Sequence, residues 1–110
     1  MVIEGEGLRL RVFVQEALRC GHKPVYVTIV ERARREGLAG AVVFRAIEGF
    51  GLHHHLHTIR MVDLSTDLPM IVEIVDRVEA IQRFLPLVRE LVPHGAATLS
   101  PVRILTFHAG

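Results

Sequence analysis

The spacing of apolar residues switches back and forth between the strand period of two and the helix period of about 3.6, and that alternation limits the fold more than any other feature. Leu8, Leu10, Val12 and Val14 alternate with Arg9, Arg11 and Phe13, the pattern of a strand with two unlike faces. Cys20-Gly21-His22 breaks it. Pro24 then stands where a first helical turn tolerates a missing N–H, and Tyr26, Ile29, Val30 and Ala33 recur at helical spacing as far as Gly37. Residues 40–48 are rich in β-branched side chains and end in Gly49-Phe50-Gly51; residues 70–75 follow Leu68-Pro69. These predict strands two and three. Asp76, with Glu79 three positions on, reads as the cap of a second helix whose buried stripe is Val78, Ile81, Phe84 or Leu85, Val88 and Leu91. Pro86 removes a backbone donor there and predicts a kink or a helix in two pieces. After Pro93-His94-Gly95, residues 102–107 predict the last strand. The order βαββαβ predicts an α+β, ferredoxin-like plait: a four-stranded antiparallel sheet with two helices on one face.

The chain's 110 residues suit a single domain, 1–110 with a core of about 8–107. Half of the residues are hydrophobic, 23% are charged and the net charge is +1. That balance argues against a disordered chain and against a basic nucleic-acid binder. The start of the chain lacks the basic-then-apolar order of a signal peptide, and no apolar run reaches the about 18 residues of a membrane helix. A lone Cys20 offers no internal disulfide. Its expected place is a loop or packing position in a cytoplasmic protein.

The second face of the predicted sheet is the more informative one. If Leu8, Leu10 and Val12 meet the helices, then Arg9, Arg11 and Phe13 point the other way, joined by Val43, Arg45, Ile47, Ile71, Glu73 and Val75. Such a face is too apolar to stay bare and too charged for a monomer core. It is expected to pack against other copies, with Arg9, Arg11, Arg45 and Glu73 in the interface and Glu73 pairing an arginine.

The succession Gly21-His22-Lys23-Pro24, Val30-Glu31-Arg32-Ala33, Gly37-Leu38-Ala39-Gly40, Glu48-Gly49-Phe50-Gly51, His57-Thr58 and Asp67-Leu68-Pro69 before Val72-Glu73-Ile74-Val75 resembles the bacterial and archaeal family called domain of unknown function 190, described as PII-like. The match runs over about residues 8–107. The resemblance implies a homotrimer with sheets inward and helices outward. It also implies a loop between strands two and three that senses a small molecule or touches a regulated partner such as a membrane transporter or an enzyme. In PII proteins adenine nucleotides bind between subunits near the base of that loop, so the resemblance makes an adenine nucleotide the first candidate ligand. Two departures stand out. The loop, about residues 52–68, is short and has no tyrosine of the kind uridylylated in some PII proteins. The Gly- and Lys-rich phosphate cradle of PII proteins has no counterpart, since residues 93–99 carry one Gly and no Lys.

Four of the seven histidines fall within residues 53–57. In an extended segment His53, His55 and His57 project to one side, which suits Zn or Cu, with His94 or His108 as further ligands. A bare His tract lacks the Cys or carboxylate partners that make a zinc motif specific, and a polar loop is the plainer role for His54 and His55. A metal-binding protein resembling the trimeric CutA proteins is accordingly the alternative expectation. His57 falls on the family's His-Thr pair, just ahead of Arg60. Together with Gly49, Phe50 and Gly51 they form the candidate ligand site: the glycines admit close backbone approach, Phe50 offers a flat apolar surface, and His57 and Arg60 donate to an anion. The plainer role of Gly49 and Gly51 is to bend the chain as strand two ends. No nucleophile elbow, Walker loop or paired Cys–His motif is present. The chain is therefore expected to bind rather than catalyse.

Overall fold

The computed structural model describes residues 4–46 and 68–107 in full, and residues 48–50 and 56–58 by their backbone pairing. In chain order the elements are β1 (Gly5–Gln15), β2 (Arg19–Cys20), β3 (Lys23–Pro24), α1 (Val25–Arg35), β4 (Ala41–Arg45), β5 (Glu48–Phe50), β6 (Leu56–Thr58), β7 (Pro69–Arg77), α2 (Val78–Leu91) and β8 (Ala96–Ile104). The main sheet has four strands in the order β4-β7-β1-β8, and its three ladders are antiparallel. Two small ladders, β2 with β3 and β5 with β6, stand apart from it. This is the ferredoxin-like plait that the periodicity predicts.

Alternation along the strands builds the core. Leu10, Val12 and Val14 of β1 and Met70, Val72 and Ile74 of β7 meet Val25, Ile29 and Ala33 of α1 and Ile81, Phe84 and Val88 of α2. Ile29, Ile74 and Ile81 have no exposed surface, and each such side chain contributes about 1.5–3 kcal/mol on burial. Helix α1 ends as its sequence predicts. Gly37 takes φ +80, so that Leu38 N donates to Ala33 O (3.0 Å) and Gly37 N to Arg34 O (3.1 Å). That pair of bonds closes the last turn in a Schellman motif. Gly7 has a different duty: a Cβ there would stand 2.5 Å from the Asp76 carbonyl oxygen.

Several expectations are corrected. Asp76 does not cap α2, whose N-cap is Arg77 with no side-chain cap bond. Strand β7 runs through Arg77, so Asp76 falls on its helix-facing side and is 2% exposed. Its Oδ2 accepts from Ala39 N at 2.9 Å and its Oδ1 from Arg77 N at 2.6 Å, which ties the α1–β4 connection to the end of β7. Pro86 lies inside one continuous helix rather than between two. The last strand starts at Ala96, earlier than predicted, and contains Pro101. That proline is tolerated because β8 is an edge strand paired only with β1.

The face assignment of β4 is also corrected. Val43 pairs with Val72 and Arg45 with Met70, whereas Val42 pairs with Glu73 and Phe44 with Ile71. Val43 therefore packs on the core, and Val42 and Phe44 take the places expected for Val43 and Arg45. Arg45 instead reaches Glu16, Nη2 to Oε1 at 3.0 Å. Ile47 lies outside the described residues.

Candidate functional site: the open sheet face and the hairpin at its end

The helix-free face of the sheet is organised in rows set by the register. Phe44, Ile71, Phe13 and Ala96 form one row; Val42, Glu73, Arg11 and Thr98 the next; Val75, Arg9 and Ser100 the third. Phe13, Val42 and Phe44 are 38%, 53% and 47% exposed. These apolar side chains border a small charged centre. Arg11 Nε donates to Glu73 Oε1 at 2.7 Å, and Arg9 Nε stands 4.0 Å from the same oxygen. Glu73 keeps only 19% of its side-chain surface. Arg9 Nε is cut off from solvent and makes no hydrogen bond. A face that mixes exposed aromatic and aliphatic groups with a half-buried ion pair resembles an interface core rather than a solvated surface.

The structure thus brings Arg9, Arg11 and Glu73 together and takes Arg45 away from them. Val42 and Phe44 are the face residues that sequence reasoning missed. Ala41-Val42-Val43-Phe44 is apolar throughout, so parity could not be read from it. The signal lay in pairing: only the register with β7 separates the two faces.

At one end of the sheet the chain continues from β4 into the β5–β6 ladder. Ala46 N donates to Pro69 O at 3.0 Å and Glu16 N to Leu68 O at 2.9 Å, which fixes both limbs where they leave and rejoin the sheet. In the ladder Glu48 pairs with Thr58, Gly49 with His57 and Phe50 with Leu56. Gly49, Phe50 and His57 of the candidate ligand site are therefore held within one antiparallel ladder. Gly51, Arg60 and the candidate metal ligands His53 and His55 lie outside the described residues, as does His108. His94 occupies the exposed turn before β8, whose first residue Ala96 pairs with Phe13; this is the same end of the sheet as the β5–β6 ladder. Among the described residues no group of three His, Cys, Asp or Glu side chains converges on a metal position.

On the opposite face, an open groove of about 720 Å³ runs between the end of α1 and α2, lined by Glu36, Leu38, Arg83, Phe84, Leu87 and Glu90 among others. Cys20, opposite Lys23 in the β2–β3 ladder, is exposed and its thiol is free. No helix of the described residues is long and apolar enough to cross a membrane.

The comparisons with known proteins agree with this architecture. The model of the family DUF190, described as "Uncharacterized ACR", matches residues 7–104. A UPF0166 protein of Aquifex aeolicus is 38% identical over 96 residues, covering 87% of this chain and 90% of its own. A UPF0166 protein of Methanocaldococcus jannaschii is 32% identical over 86 residues, covering 78% and 79%. Among solved structures, CPII, a nitrogen regulatory PII-like protein from Thiomonas intermedia K12 bound to ADP, AMP and bicarbonate, superposes with a TM-score of 0.66 at 14% identity, covering 90% of this chain and 88% of its own. A second structure of CPII, bound to ADP and bicarbonate, gives 0.61. At that identity the likeness is one of fold.

Proposed function

This chain belongs to the DUF190 family and has a PII-like fold, and on that premise we propose that it is a regulatory protein that senses a small anionic molecule and acts by binding, not by catalysis. It assembles as a homotrimer through the open sheet face and takes its effector, an adenine nucleotide first of all, between subunits near the β5–β6 ladder. The observation that carries the reading is the open face itself. Phe13, Val42 and Phe44 remain exposed around the Arg11–Glu73 pair, an arrangement that gains from burial against a copy of itself. A closed assembly of this kind sets the β5–β6 ladder of one subunit near the boundary with the next, and the ladder's Gly49 leaves room for close backbone approach.

The nucleotide is favoured because a protein of the same fold, CPII, has been solved with ADP, AMP and bicarbonate. This chain lacks a Lys-rich phosphate segment, so His57 and Arg60 are assigned the anionic group. The test is a titration of the assembled protein with AMP, ADP, ATP and bicarbonate, read by melting temperature and calorimetry. A ligand specific to the native state raises the melting temperature with its concentration. A trimeric protein that responds to none of them would overturn the effector assignment, and a monomer at micromolar concentration would overturn the assembly.

A further inference from the structure

The charge on the open face does not balance, and this has a consequence that rests on the assembly proposed above. Among the described strand residues, Glu73 is the one acid on that face; Arg77 lies at the strand end opposite Gly7 and is engaged elsewhere, and Glu73 faces the other two guanidiniums, Arg11 at 2.7 Å and Arg9 at 4.0 Å. Glu6 and Asp76 fall on the other side by register, Glu6 opposite Arg103 and Asp76 opposite Leu8. In a separate chain the imbalance is tolerable, because the Arg9 side chain keeps 35% of its surface in water. Covering the face with another copy removes that water and leaves an unmatched positive charge for every copy. A buried charge without a partner is strongly unfavourable, so the assembly either keeps water there or recruits a negative group.

The surroundings of Arg9 are those of an oxyanion cradle. On the neighbouring strand β8, Ser100 is the register partner of Arg9 and Thr98 that of Arg11, and directly opposed residues in a ladder have Cβ atoms about 4.5–5.5 Å apart. Two forked guanidinium donors thus stand beside two hydroxyl donors, with Arg9 Nε already desolvated and unbonded. Guanidinium suits planar and tetrahedral oxyanions because its donors are arranged as a fork. We propose that the assembled sheet face binds a small inorganic oxyanion of the phosphate class between Arg9, Arg11, Thr98 and Ser100, as a structural counter-ion distinct from the effector at the hairpin.

The experiment uses inorganic phosphate as the probe, titrated at constant ionic strength, with mass measured by light scattering beside the melting temperature. Wild type, Arg9→Met and Arg60→Ala are compared; Arg9→Lys, which keeps the charge and loses the fork, replaces Arg9→Met should the latter fail to fold. The expected result is a trimer whose melting temperature climbs and levels off with phosphate. Its apparent affinity falls about tenfold or more on loss of the Arg9 fork. A trimer with no saturable response, or one whose response ignores Arg9, overturns the oxyanion site and leaves the assembly standing. A response lost in Arg60→Ala places the phosphate at the hairpin and also overturns it. A monomeric wild type defeats the assembly reading itself.

Discussion

Arg11 and Glu73 face each other directly across the β1–β7 ladder, and their side chains meet with Nε and Oε1 2.7 Å apart. The pair lies in the interior of the open face, flanked in its row by Val42 and Thr98. Exposed, it would contribute about 0–1 kcal/mol. In the proposed assembly, where another copy would exclude solvent, its worth changes. Glu73→Ala is therefore expected to leave the isolated fold nearly intact but to weaken assembly by about 3–5 kcal/mol, because Arg9 and Arg11 are then buried without a carboxylate. Sedimentation equilibrium of wild type and variant measures this, and an unchanged association constant would sink it.

Asp76 contributes to the fold rather than to assembly. Its carboxylate, almost fully buried, accepts from the amides of Ala39 and Arg77. Asp76→Ala strips Ala39 N of its acceptor and is expected to cost about 1–3 kcal/mol of folding stability. Urea unfolding of the variant in the presence and absence of assembly reads this directly; a stability equal to wild type would show that the clasp is dispensable.

How much of this was legible beforehand differs by element. The plait itself was, because Leu8 to Val14 and Tyr26 to Ala33 declare their periods without ambiguity. Asp76 was misread because a carboxylate three residues before a Glu looks the same whether the strand ends before it or after it. The face of β4 was misread because an unbroken apolar run carries no parity. The first half of β8 was missed because Ala, Ser and Pro are poor strand formers, and only the edge position makes Pro101 acceptable. In the candidate ligand site, the pairing of Gly49 with His57 depends on where the hairpin turns, which no local pattern records.

The histidine run offers a test between the two classes of ligand. If His53, His55 and His57 share Zn or Cu, binding is lost as pH falls below about 6, since protonated imidazole has no lone pair to give. The expectation is weak binding, removed by dialysis against a chelator. Stoichiometric zinc that survives the chelator in wild type and is absent from His55→Ala would reverse the ranking and favour a CutA-like metal-binding role.

Arg60 carries the sharpest prediction for the hairpin. His57 is held opposite Gly49 in the β5–β6 ladder, and Arg60 follows it three residues later in the sequence. A guanidinium there keeps its charge at any physiological pH, whereas an imidazole adds charge only as pH drops. An anionic effector is accordingly expected to bind through Arg60 at all pH values and to gain from His57 below neutrality. Arg60→Ala should weaken the nucleotide by about 1.5–3 kcal/mol, the range for a charge-assisted hydrogen bond, while assembly and the melting temperature without ligand stay nearly unchanged. His54→Ala should matter much less, because the polar loop role expected for His54 asks nothing of its imidazole. Calorimetry on the three proteins at pH 6 and pH 8 separates these contributions. If Arg60→Ala instead unfolds the protein, Arg60 is part of the hairpin's structure, and the effector must be sought elsewhere on the subunit boundary.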